Sequence, residues 1–344
     1  LSASGQTLTV IAEENKILDN TKQVVTTGTP DFHVDASPNW WGSPCGPESG
    51  TIIGDVTYIP WYVDEAMTTT TNVEPVSGAF TFPSTMGTIE KNAIIECAAP
   101  GTVFTFETGT HYGGLKVYND SLTFELNGAK VGPGSSAFEV YGDDITINGP
   151  GVLDGSTDTD NSPGILVADG ADNLIVDGVY IENWVDGIEV SGSHEAFNVV
   201  SSWLHDNSNA GMLFNSDVSL SGLVEIYGNL FKENDVYGIE NLSSAAIKAE
   251  YNSWGHIDGP ASGDPVFGLV DADPFTYSEV FVTMAPPALT GSIGVYEDET
   301  FAVAVKVDAV NLSAVAYELT YDPDYLELVD LVQGTEFDPD VNSF

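Results

Sequence analysis

Leu174-Ile175-Val176-Asp177-Gly178-Val179-Tyr180-Ile181 has two counterparts further along the chain: Phe197-Asn198-Val199-Val200-Ser201-Ser202-Trp203-Leu204, and Val224-Glu225-Ile226-Tyr227-Gly228-Asn229-Leu230-Phe231. Written one under another, they place Ile181, Leu204, Phe231 and then Trp254 in one column, at nearly even steps. Val176, Val199, Ile226 and Ala249 fill a second column, and Leu174, Phe197, Val224 and Ile247 a third. Gly187, Gly211 and Gly238 mark a turn after the anchor, each followed at once by an apolar residue, Ile188, Met212 or Ile239. Each unit is a set of short alternating strands separated by turns, with no helical spacing. A repeat this short predicts a β-solenoid, because one unit cannot bury its own apolar face while stacked units enclose a continuous core. Asn229 and Asn252 share a column, as an internal Asn ladder requires. A sandwich of hairpins would need a tight-turn signal in every unit. Asn127-Gly128 and Asn148-Gly149 do not recur in that way.

A longer repeat surrounds this one. Asn39, Trp41, Gly42, Gly46 and Pro47 recur, in the same order and at the same spacing, as Asn252, Trp254, Gly255, Gly259 and Pro260. Pro60-Trp61 then corresponds to Pro274-Phe275. Residues 1–66 therefore read as the C-terminal rungs of a preceding solenoid, and 76–280 as a full copy. The Thr-rich stretch 67–75 reads as an extended linker and 281–290, with Ala285-Pro286-Pro287, as a second one. Neither end reads as self-sufficient, since 1–66 and 288–344 hold too little core to offset chain entropy. Either flanking sequence or a neighbouring copy would complete them.

Composition bounds the setting. Of 344 residues, 42% are hydrophobic, enough for a real core. Acidic residues number 52 against 8 basic ones, all lysine, for a formal charge of −44. Such a surface repels nucleic acid and anionic lipid. It suits a salty or extracellular setting and attracts divalent cations. No apolar run is long enough to span a membrane. Two cysteines exclude a disulfide scaffold, and Cys97, inside Ile94-Ile95-Glu96-Cys97-Ala98-Ala99, reads as a buried small hydrophobe rather than as a partner for Cys45.

Two regions resemble known families. Ala93 to Val103, Glu107-Thr108-Gly109-Thr110-His111-Tyr112 and Ser121-Leu122-Thr123-Phe124 resemble the opening of a pectate-lyase-like right-handed parallel β-helix, and the Asn-Trp-Gly segments near 39 and 252 resemble its closing rungs. That resemblance implies an all-β fold and leaves function open, because this fold hosts lyases, hydrolases, adhesins and spacers. Residues 291–344, through Thr300 to Val307, Asn311-Leu312 and Leu319-Thr320-Tyr321-Asp322-Pro323, resemble the N-terminal part of a cohesin-like β-sandwich. Cohesins bind dockerin modules, so a scaffold recruiting dockerin partners is one implied role.

Candidate sites are few. By alternation, Tyr180 and Trp203 face outward one residue before the anchor column, and Trp184 would extend them into an aromatic ridge for carbohydrate or a partner. Asp154, Asp158 and Asp160 gather hard oxygen ligands suited to Ca²⁺ in one loop, without EF-hand spacing. Asp143-Asp144 could do acid–base work on a glycosidic bond. The Asn-Thr-Asp and Gly-His-Gly segments of the β-helix hydrolases are missing, and without Arg the usual lyase base is missing too. His205-Asp206 reads as a solvated turn or a proton-transfer pair. Asn119 and Asn311 begin glycosylation sequons, as does Asn241, which aligns with inward positions. The resulting expectation is a non-catalytic extracellular structural or adhesive protein of S-layer, sheath or filament type, without catalytic residues. Its partners would be copies of itself, neighbouring surface proteins or polysaccharide. The alternatives are a carbohydrate-active or polysaccharide-binding β-helix and the cohesin-type scaffold.

Overall fold

A computed structural model describes residues 8–18, 22–25, 32–132, 134–157, 160–222, 224–256, 258–276, 283–285 and 304–306. The columns read from sequence become parallel strand registers. Leu174 pairs with Phe197 and Val176 with Val199, and these pair onward with Val224 and Ile226. Ile181 pairs with Leu204, and Leu204 with Phe231. The Phe231 ring then stacks on Trp254 at 4.8 Å. After the turn, Ile188, Met212 and Ile239 stack in the same way. One face is a seven-stranded parallel sheet running from Leu115–Val117 to Val266–Phe267. An eleven-stranded sheet wraps the other faces. The bore between them is apolar, and Phe82, Phe104 and Phe124 stack along it at 4.8 and 5.3 Å.

Buried polar ladders hold the corners. The Ser202 Oγ accepts from Val179 N, Asn229 Oδ1 from Ser202 N, and Asn252 Oδ1 from Asn229 N, at 3.1, 2.9 and 2.9 Å. Each side chain thus satisfies a backbone amide of the preceding rung, where an unpaired buried donor would be costly. A second ladder, not read from the sequence, runs at the next corner: Asn207 Oδ1 accepts from Trp184 N, Asn234 Oδ1 from Asn207 N and Asp264 Oδ2 from Asn234 N. On the outward face of the seven-stranded sheet, one column reads Lys116, Glu139, Leu166, Glu189, Leu213, Glu240, Phe267. No two carboxylates are adjacent in it. A strongly acidic chain can stack parallel rungs there without like charges directly opposite one another.

The long repeat is reproduced at atomic detail. Asn39 Oδ1 accepts from Asn15 N as Asn252 Oδ1 does from Asn229 N. Tyr62 N donates to Asn39 O and Thr276 N to Asn252 O. A Cβ on Gly46 would lie 2.9 Å from Trp61, and one on Gly259 2.6 Å from Phe275, so both positions need glycine. Their φ angles, +78° and +68°, agree with that need.

The two copies meet differently from the expectation. Residues 67–75 do not form an extended spacer: Thr70–Thr71 folds back in antiparallel pairing on Trp61–Tyr62, and Asp64 accepts from the amides of Thr68 and Thr69 to close the hairpin. A helix, α1 (Thr88–Glu96), follows where the sequence suggested only rungs. Ile94 and Ile95 enter the main core, capping the end of the second solenoid, while Ala93 packs with Ala36, Trp41, Trp61 and Val63 of the first. Cys97, at the C-terminus of α1, is half-buried and joined to Cys45 by a disulfide with the Cα atoms 5.3 Å apart. Its reading as a free buried hydrophobe is therefore corrected. The bond links two elements 52 residues apart that meet only once both copies are folded. Strand Ala304–Lys306 pairs antiparallel with Thr283–Ala285, and the rest of the cohesin-like stretch lies outside the described residues.

Candidate functional site

The outward residues of the rung edge come together as one strip. Tyr180 and Trp203 are cross-strand partners with ring centroids 4.8 Å apart and planes tilted by 58°. Tyr180 is 36% exposed, and Leu230, next in the column, is buried. Trp184 does not extend this pair. It is 1% exposed and its indole nitrogen donates to Leu153 O at 3.0 Å. Asn183 before it takes a φ of +63°, which ends the strand alternation and turns the next side chain inward.

The neighbouring outward column is Asp154, Glu182, His205, Lys232. His205 sits between two carboxylates, with Nε2 3.2 Å from Glu182 and Nδ1 2.7 Å from Asp206. Its ring meets Trp203 edge-on at 6.3 Å. Burial raises the Glu182 carboxyl above its ordinary range; Asp154 adds to this while His205 opposes it. Asp154 is buried. Burial works against its charge, but hydrogen bonds from Lys130, Ser156 and Asn183 outweigh that and hold its carboxyl below the usual value. A histidine between carboxylates, one of them raised, can hold or pass a proton, and the adjoining rings offer an amphipathic platform.

Asp154 is thus committed to an ion pair with Lys130 and to its own turn rather than left open on a loop. Asp158 lies outside the described residues and Asp160 is exposed. Among the described residues no group of three or more His, Cys, Asp or Glu gathers around one point as a metal site would require. Ca²⁺ is expected to raise the melting temperature beyond matched ionic strength in NaCl only through residues 154–161. Coincident NaCl and CaCl₂ melting curves would leave screening alone.

Asp143 and Asp144 have structural partners. Asp120 Oδ1 accepts from Asp143 N, Asp143 Oδ1 from Asp172 N and Asp172 Oδ1 from Glu195 N, forming an outer ladder at one turn. Asp144 accepts from Asn173 Nδ2. Asn119 Nδ2 donates to the carbonyls of Glu96 and Ala98 at 2.7 and 3.1 Å, capping the end of α1. Asn241 is buried against Ala245 O and Leu269 O, as its inward alignment suggested, and Asn311 lies outside the described residues.

One group escaped the sequence reading. Asp186 is 4% exposed and its carboxyl is pushed up to about 6 by burial, with Glu189 and Glu240 reinforcing the shift and hydrogen bonds from Asn209 and Ala210 opposing it. Asn209 Nδ2 bridges Asp186 to Glu240 at 2.8 and 3.2 Å. The only signal in the sequence was an acid directly before Gly187 in a turn column.

These are features of a parallel β-solenoid with an aromatic and acidic strip along its edge. The family model described as "right handed beta helix region" matches residues 77–253, and the chain belongs to that family. No curated protein and no solved structure matches the chain. No helix among the described residues is long and apolar enough to cross a membrane.

Proposed function

We propose that this chain is a non-catalytic structural or adhesive element of an extracellular surface, in which β-helices are coupled end to end as a stiff spacer. The observation that carries the reading is the joint: closing rungs of one β-helix share an apolar cluster with the cap of the next and are bonded to it through Cys45–Cys97. A mobile linker would suit a catalytic module tethered to a carrier. A hairpin, a shared core and a disulfide suit continuity under tension. The disulfide also fits an oxidising compartment, and the charge of −44 keeps such a surface hydrated. Copies of the chain and neighbouring surface proteins are the partners this role implies.

The Tyr180–Trp203 pair supports a second reading, a polysaccharide-binding face, because an exposed tyrosine ring against a half-buried tryptophan, beside polar groups, suits sugar faces. Both readings predict no turnover. Incubated with pectin, alginate or polygalacturonate in the presence of Ca²⁺, the chain should yield no unsaturated products and no new reducing ends. Turnover that survives purification and disappears in Glu182→Gln would overturn the non-catalytic reading.

A further inference from the structure

A cleft of about 890 Å³ opens beside the joint, between the first lobe and the segment that leads into α1. Its floor is aromatic: Trp41 and Trp61 are buried beneath it, and the half-buried Tyr58 ring lies 6.3 Å from Trp61, tilted by 31°. Its rim carries two exposed carboxylates, Glu48 from the lobe and Glu74 from the connecting segment. The fold holds these walls in place. The Trp61 indole donates to Pro44 O at 2.9 Å. Gln23 Oε1 accepts from Thr51 Oγ1 at 2.6 Å and from Glu48 N at 3.3 Å, and Gln23 Nε2 donates to Trp41 O at 3.3 Å. Tyr58 OH donates to Glu74 Oε1 at 3.1 Å, which ties the rim to the floor. Walls fixed before a ligand arrives lose little freedom when it binds.

We propose that this cleft binds an organic ammonium ion, a positively charged head on an apolar body. The volume is that of a small-molecule site, and an apolar floor with a few placed polar groups is the usual lining of one. The body lies along the floor and the head sits at the rim, between Glu48 and Glu74. Among the described residues no lysine or histidine lines the cleft, and the chain has no arginine, so no cation of the protein competes for the rim. Tyr58 is the aromatic ring to which such a head is attracted. An anionic ligand would instead meet two carboxylates on a chain of charge −44.

The internal repeat separates scaffold from site. The residues that both copies share, Asn39, Trp41, Gly42, Gly46 and Pro47, build the closing rung. Glu48, one place after Pro47, has Ala261 as its counterpart, one place after Pro260. Tyr58, two places before Pro60, has Ala272 as its counterpart, two places before Pro274. Closing a β-helix therefore needs neither the acid nor the ring at these positions, and both are left to the cleft. The cleft shares no residue with the Tyr180–Trp203 strip.

Isothermal titration calorimetry of the whole chain with benzyltrimethylammonium tests this, beside benzyl alcohol and benzoate as neutral and anionic probes at one ionic strength. The cation should bind at a single saturable site, the alcohol more weakly, and benzoate not at all. Glu48→Gln combined with Glu74→Gln should weaken the cation about tenfold, since one exposed ion pair is worth at most about fivefold. Gln at position 74 can still accept from Tyr58 OH, so the wall is kept. Asp217→Asn combined with Asp235→Asn removes the same charge from exposed positions on the second β-helix and should leave the affinity unchanged. Equal losses in the two double variants would reveal diffuse attraction to an acidic surface and overturn the site. Equal affinity for benzyl alcohol, or no saturable binding of the cation, would overturn it as well.

Discussion

Replacing Cys45 and Cys97 together by serine is expected to lower the unfolding free energy by about 4 kcal/mol, the chain-entropy value for a loop of roughly 50 residues. The bond spans 52 residues and crosses the joint. Its loss should therefore show as an earlier, separate transition of the first lobe rather than as a uniform shift. Among the described residues, that lobe has a small buried cluster of its own, Ala36, Trp41, Trp61 and Val63, to which the second copy adds Ala93. Differential scanning calorimetry checks this. A single unshifted transition in the double variant would mean that packing alone fixes the joint.

The second large effect concerns the two tryptophans that the alternation rule put on one ridge. Trp184→Ala should cost about 3–5 kcal/mol, as for other buried aromatic truncations. Trp203→Ala should cost about 1 kcal/mol, the central value for single substitutions, because its half-buried ring packs on the outer strip rather than in the bore. Trp184 does more than fill space. Its indole donates to Leu153 O, its backbone amide donates to Asn207 Oδ1, and a Cβ on Gly155 or Gly164 would lie 2.6 or 2.9 Å from its ring. Those glycines leave room for the ring to close the turn. Trp203 instead meets Tyr180 and the edge of His205. Urea denaturation of both variants measures the contrast. Equal costs would place both rings in the core or both outside it.

The difference between these residues shows how far the sequence could be read. Strand positions alternate in twos and whole rungs recur at nearly even steps. The columns of Leu174, Val176, Ile181 and Ile188 and the Asn229–Asn252 ladder were therefore legible from spacing alone. Trp184 was misplaced because Asn183 is left-handed, and an exposed turn that reverses side-chain direction leaves little periodic trace. The second ladder was within reach: Asn207 and Asn234 stand one rung apart, with the same separation as Leu204 and Phe231. Helix α1 was missed because its apolar residues face two cores, Ala93 one way and Ile94 and Ile95 the other, which blurs any single stripe. The Cys45–Cys97 bond has no local signal, since its partners meet only through the stacking of two modules. The Glu182–His205–Asp206 cluster likewise joins neighbouring rungs, and only the register reveals it.

If the two β-helices are locked into one rod, the lock must be visible as a covalent link within one chain. The most direct measurement is a peptide map of the oxidised chain, alkylated under denaturing, non-reducing conditions. The expected result is no alkylated cysteine and a single linked species joining the peptides that contain Cys45 and Cys97. Two alkylated cysteines, or a bridge between different molecules, would contradict the locked joint.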